Sequence, residues 1–206
     1  GCYTSQVRIK QQHRALEDDL SFCEKIVAQT ALRGLIDYPI SALLDARKDL
    51  AFAQFHDILP GTSIEAVETE SLERLGHGRQ ICRRLVASAL LASLRGDSAP
   101  SGDSIPVYAY NPHPYPLSGV FEFEIQPATQ NWEGTFTDYR VGQIGLADSV
   151  PIVSQLEHED SAVNVDWRKR IAIDATLPPS SLTRFECTPL SPSSRSPLVS
   201  YPVFES

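Results

Sequence analysis

Methionine is missing from all 206 residues, and the chain opens on Gly1. Together these lead us to expect a piece of a longer polypeptide. Cysteine is scarce: Cys2, Cys23, Cys82 and Cys187 stand far apart with no CxxC pair. That spacing argues against a thiolate zinc site and against a dense disulfide framework. It fits reduced, mostly buried thiols in a cytoplasmic protein. Basic charge is also short, with 18 Lys and Arg against 26 Asp and Glu, a net charge of −8. An acidic balance disfavours nucleic acid, whose binding rests on phosphate neutralisation. No apolar run approaches the roughly 20 residues that span a bilayer, so no membrane partner is expected. The start shows no basic-then-apolar leader. P-loop, GxGxxG, HExxH and GxSxG patterns are all missing, and no internal repeat is visible.

What is present is 42% hydrophobic content, enough for two small domains or one large one. A chain of this size removes roughly 70% of its unfolded surface on folding. Composition and period both change near residue 97. We therefore expect an α+β multidomain chain: a three-helix domain over 1–97 and a partial β-sandwich domain over 98–206.

In the first part, Ile9, Leu16, Leu20, Cys23, Val27 and Ala31 fall on one helical face. Thr4 or Ser5 is the expected N-cap, and Gly34 the terminator. Tyr38-Pro39 precedes a second helix capped by Ser41, carrying Leu43, Leu44, Leu50, Ala51, Phe52 and Phe55, and running into His56-Asp57. Pro60-Gly61 breaks it. Thr62-Ser63-Ile64-Glu65 reads as a capping box for a third helix burying Ile64, Val67, Leu72, Leu75, Cys82, Leu85, Val86, Ala89 and Leu90. Gly76 and Gly78 weaken its middle by about 1 kcal/mol each relative to alanine. The arrangement expected is an antiparallel bundle.

GDSAPSGDS over 96–104 reads as a linker. After it the period becomes two, with strands expected at 107–110, 120–125, 139–141, 150–156, 167–173 and 181–187, the rhythm of a β-sandwich. Phe121, Phe123 and Ile125 should face inward and Glu122 and Glu124 outward. Asn111-Pro112-His113-Pro114-Tyr115-Pro116 cannot be a central strand, because its prolines withdraw ladder donors. Leu190 to Ser196 is expected to be poorly ordered, and 201–204 to add an edge strand.

The densest signal is Gln54-Phe55-His56-Asp57-Ile58-Leu59-Pro60-Gly61-Thr62-Ser63, which sets an imidazole beside a carboxylate at a helix end. Successive helical side chains diverge by about 100°, so the pair is not expected to be a dyad. It could serve one ligand, a metal ion or a polyol, from adjacent directions, or simply be a satisfied helix end. Zinc takes about four donors, and no second ligand stands at a useful spacing. Asp57 lies where the helix dipole disfavours negative charge, which a bound cation or ligand would offset. His13, His77, His113 and His158 read as solvated or structural, and Glu17-Asp18-Asp19 as an exposed face.

QFHDILPGTS with His56-Asp57 resembles the His-Asp motif of the family 38 glycoside hydrolases, the retaining α-mannosidases. Gly1-Cys2-Tyr3-Thr4-Ser5 resembles the segment that leads into their three-helix middle domain. Tyr110-Asn111-Pro112 through Gly119-Val120, and Leu177-Pro178-Pro179 with Ser181-Leu182, are similar to parts of their C-terminal β-region. The resemblance implies that His56 is one zinc ligand and that Asp57 contacts mannose hydroxyls. The remaining ligands and the nucleophilic aspartate would lie on an N-terminal α/β barrel without counterpart here. The implied partners are that barrel and an α-mannoside glycan, with a homo-oligomer possible and the isolated chain inactive. Two other readings stand beside this one: a carbohydrate-binding module using Trp132, Trp167 or Tyr139, and an assembly module docking a partner through the helices.

Overall fold

A computed structural model of the protein describes residues 4–127, 137–145, 149–157 and 168–190. The chain forms two compact units, Gly1–Asp97 and Ser98–Ser206. The expectations for Cys2, Trp132, His158, Trp167 and the segment from Ser191 onward lie outside the described residues.

The first unit holds three helices, α1 (Val7–Leu32), α2 (Ile40–Ala53) and α3 (Glu65–Ser93). Contacts advance together along α1 and α3: Gln6 meets Ser63, Asp19 meets Arg79, and Thr30 meets Ser93. On α2 they run the other way, with Arg47 bonded to Glu24 and Asp49 to His77. The bundle therefore goes up, down and up. Ile9, Leu16, Leu20, Cys23, Ile26 and Val27 of α1 are buried, as are Leu43 and Ala46 of α2 and Leu75, Ile81, Cys82 and Ala89 of α3. Gly34 does end α1: at φ 72° it lets its own amide reach Ala31 O at 2.8 Å and the Leu35 amide reach Thr30 O at 3.2 Å, the paired bonds of a Schellman terminus.

Several local expectations need correction. None of the three helices has a side-chain N-cap bond. Ser5 is not a cap because its hydroxyl bonds Gly61 O at 2.8 Å. Thr62 is not one because its hydroxyl faces Asp57. Ser41 sits inside the first turn of α2, and the α2 N-cap is Pro39. Ile64 is exposed rather than buried, and Leu44 and Phe55 are exposed as well. His13 is buried, as helical phase with Ile9 and Leu16 requires. Asp19 is not simply solvated, since it accepts a 2.8 Å bond from Arg79 Nε. Gly78 has a packing role: a Cβ there would meet Leu16 Cδ2 at 2.8 Å. Among the described residues no helix is long and apolar enough to cross a membrane.

The second unit is a small antiparallel sandwich of β1 (Ile105–Asn111), β2 (Leu117–Ile125), β3 (Tyr139–Ile144), β4 (Ser149–Pro151), β5 (Ser154–Glu157), β6 (Lys169–Leu177) and β7 (Ser181–Pro189). One sheet has the order β1-β7-β3-β4 and the other β2-β6-β5. Ile125, Tyr139, Val141, Ile171, Ile173, Phe185 and Cys187 fill the space between them. β2 alternates as expected, with Phe121 and Phe123 packed on that core and Glu122 and Glu124 exposed. The strand expected over 150–156 is two strands in different sheets. Pro151 has no ladder donor; the next amide, of Ile152, bonds Val141 O in one sheet, while Val153 O accepts from Asp174 N in the other. Tyr139 is 8% exposed and belongs to the core, which removes it as a sugar-stacking platform.

Asn111 closes one end of the sandwich. It is fully buried, and its amide donates to Tyr115 O, Leu177 O and Pro178 O at 2.9, 3.1 and 3.0 Å. Its Oδ1 accepts from the His113 amide at 2.9 Å. The two β-segments singled out in the sequence, 110–120 and 177–182, are thus tied by this side chain as well as by strand pairing.

Lys169 is buried, and burial lowers its pKa from 10.5 to about 8, partly offset by Asp138. Below pH 8 the folded chain holds a charge that its surroundings disfavour. Between 8 and 10.5 the unfolded chain binds more protons, so this group makes stability rise with pH. In urea unfolding at pH 7.5 and 9.5, the wild type should gain stability relative to Lys169→Met as pH rises. A constant difference between the two proteins would show that the lysine keeps its ordinary pKa.

Candidate functional site

α2 stops at Ala53, three residues short of His56, contrary to expectation. The chain then folds through successive tight turns. Gln54 N bonds Ala51 O, the Ile58 and Leu59 amides share Phe55 O, Gly61 N bonds Ile58 O, and Thr62 N bonds Asp57 O. Ile58 is buried and anchors the segment from beneath. Apolar anchoring of one residue leaves its polar neighbours directed outward. His56 and Asp57 side chains are 78% and 59% exposed.

Because the backbone is not helical here, the two side chains do not diverge. His56 Nε2 lies 3.4 Å from Asp57 Oδ2, and the imidazole packs on Phe55 with ring centroids 4.2 Å apart. On the other side of the carboxylate, Thr62 Oγ1 stands 3.4 Å from Oδ1 and 3.2 Å from the Asp57 carbonyl. The sequence does bring His56 and Asp57 together, but in a turn rather than on a helix.

The chain leading into α1 fixes the far side of this turn. Ser5 donates to Gly61 O at 2.8 Å. Gln6 Nε2 donates to Ser63 O at 2.9 Å, and the Ser63 hydroxyl returns a 3.1 Å bond to Gln6 Oε1. Lys10 Nζ holds Ser5 O at 2.7 Å. Gln6 adopts φ 46° to make this clasp. Gly61, at φ 85°, is demanded twice over, since a Cβ would lie 2.7 Å from Ser5 O. Sequence spacing gave no hint of these bonds, which join positions more than fifty residues apart.

Beside Asp57 lies an open groove of about 870 Å³ between the end of α2 and the start of α3, lined by Phe52, Phe55, Ile58, Thr62, Ile64 and Val67 among others. Arg74 covers the Phe52 ring at 4.2 Å. Among the described residues no cluster of three or more His, Cys, Asp or Glu could hold a metal ion. His56 with Asp57 can supply part of a coordination sphere or a polar contact, not a complete metal site. His77, read as a surface residue, is exposed but ties α3 to α2 through a 2.7 Å contact with Asp49. Cys23, Cys82 and Cys187 are buried and free. Burial pushes the Cys187 thiol up to about 12.

Residues 1–92 match the family described as the alpha mannosidase middle domain. The match covers 92 of the 206 residues, all within the helical unit. The matched segment takes in α1, α2, the His56–Asp57 turn and α3 as far as residue 92. Two solved structures share the fold. An alpha-mannosidase from Enterococcus faecalis V583 superposes with a TM-score of 0.66 at 17% identity, over 89% of this chain and 24% of that one. A glycosyl hydrolase family 38 protein from Enterococcus faecalis gives a TM-score of 0.74 at 16% identity, over 93% and 26%. The chain therefore spans about a quarter of the length of these structures. The comparison with curated proteins finds no match.

Gly61→Ala places a methyl against the Ser5 carbonyl at a positive φ. It should cost the helical unit about 1–3 kcal/mol, read from the urea midpoint followed by helical circular dichroism. An unchanged midpoint would mean that the clasp at Ser5 does not form.

Proposed function

We propose that this chain is the middle domain and the start of the C-terminal β-domain of a retaining, zinc-dependent α-mannosidase. In this reading His56 gives one ligand to a zinc ion held mainly by a preceding catalytic domain. Asp57 accepts hydrogen bonds from hydroxyls of the mannose ring. The observation that carries the proposal is the exposed His56–Asp57 pair on a braced turn, inside the segment that matches the middle-domain family.

The donor set fits a shared site. An imidazole at the protein surface can complete a tetrahedral ion whose other donors come from elsewhere, and the described residues hold no competing cluster. Bound zinc would act as a Lewis acid toward sugar hydroxyls and favour an oxocarbenium-like transition state. The chain's own contribution is placement. Ile58 and the Ser5–Gly61 bond brace the backbone that carries both side chains.

The segment entering α1 lies against the loop after Asp57. A domain preceding it would therefore join at the end of the bundle that carries the pair. The apolar groove with exposed Phe55 and Ile64 suits contact with such a domain. The nucleophile and the acid of a retaining mechanism belong to that domain, so this chain alone should be inactive. Free thiols at Cys23, Cys82 and Cys187 fit a reducing cytoplasm.

The test uses the longer polypeptide and an aryl α-mannoside. His56→Ala should lose bound zinc, measured by atomic emission. Asp57→Ala should keep zinc and lose about a hundredfold or more in kcat/KM. Full activity in zinc-free His56→Ala protein would refute the metal assignment.

A further inference from the structure

We propose that Thr62 is the positioning residue for the Asp57 carboxylate, holding it for the sugar through both its backbone and its side chain. The inference rests on the reading of Asp57 as a substrate contact.

An exposed aspartate on a turn is free to rotate, and ordering it on binding would weaken the complex. Here each carboxylate oxygen has one neighbour: Thr62 Oγ1 at 3.4 Å from Oδ1, and His56 Nε2 at 3.4 Å from Oδ2. Thr62 also fixes the backbone of the same residue, because its amide and its hydroxyl each lie 3.2 Å from the Asp57 carbonyl oxygen. The two partners differ in kind. A ring nitrogen that lends its lone pair to an ion has no proton for a carboxylate. Thr62 is thus the partner that does not depend on the state of His56.

Among the described residues its hydroxyl meets no group outside Asp57. A Thr-x-x-Glu pattern at this place reads as a capping box, yet the N-cap of α3 is Ile64 and no side chain caps the helix. Thr62 is itself well held. Its χ1 is stiff because it is β-branched. Its flanking residues, Gly61 and Ser63, are bonded to Ser5 and Gln6. Support therefore passes from the segment entering α1, through the 60–63 loop, to Thr62 and then to Asp57.

The experiment is a double-mutant cycle in the full-length enzyme, with steady-state kinetics on an aryl α-mannoside, zinc content and thermal melting. Thr62→Val keeps the shape and deletes the hydroxyl. It should lower kcat/KM about tenfold, mainly through kcat, with zinc content unchanged, while Thr62→Ser stays within about threefold of wild type. In an Asp57→Asn background the same valine change should cost less than about twofold. Equal losses in both backgrounds, or failure of serine to rescue, would overturn the role of Thr62. Asp57→Asn without any loss would instead sink the substrate-contact reading, so the two failures are told apart.

Discussion

The closeness of Gly61 to the backbone of Ser5 constrains everything at the candidate site. A side chain at 61 would sit 2.7 Å from the Ser5 carbonyl oxygen. The loop after Asp57 can lie flush on the start of α1 only with glycine there. That approach permits the Ser5 and Gln6 bonds, which fix residues 61 and 63. With those set, Thr62 faces back onto Asp57 and the tight turns from Gln54 to Thr62 hold their course. Exposure and rigidity are usually opposed, since exposed turns have few contacts. Here one buried side chain, Ile58, and one close backbone approach supply the rigidity from below and behind. His56 and Asp57 remain open to solvent.

On the proposed reading, this division would let a helical bundle serve chemistry it does not itself contain. Helices are stiff, but their side chains fan out, and two adjacent residues on a helix point about 100° apart. Ending α2 at Ala53 removes that restriction and lets the two side chains come within 3.4 Å. The bundle then acts as a mount. Its cross-links, Arg79 to Asp19 and His77 to Asp49, lock α3 to the other two helices away from the pair.

Much of the scaffold was legible because burial enforces periodicity. β2 could be read residue by residue, since a strand with one face on a core must alternate. The face of α1 was likewise visible, and correct phasing would have placed His13 inside with Ile9 and Leu16. Helix starts were misread for a physical reason. Ser5 and Thr62 have the chemistry of caps, but their hydroxyls are taken by partners that no local pattern reveals. The split between β4 and β5 carried a local signal in Pro151. The His56–Asp57 pair stood out by residue type alone. Its geometry did not, because the end of α2 is set by the tight turns and the burial of Ile58, and Gln54-Phe55 alone would continue a helix.

The central claim is that His56 reaches an ion assembled largely outside this chain. Anomalous diffraction at the zinc edge, from crystals of the longer polypeptide, tests it directly. The account expects a zinc peak about 2.0–2.1 Å from a ring nitrogen of His56, with the other ligands from outside the helical unit. A fully coordinated zinc site that leaves His56 without a metal contact would contradict it.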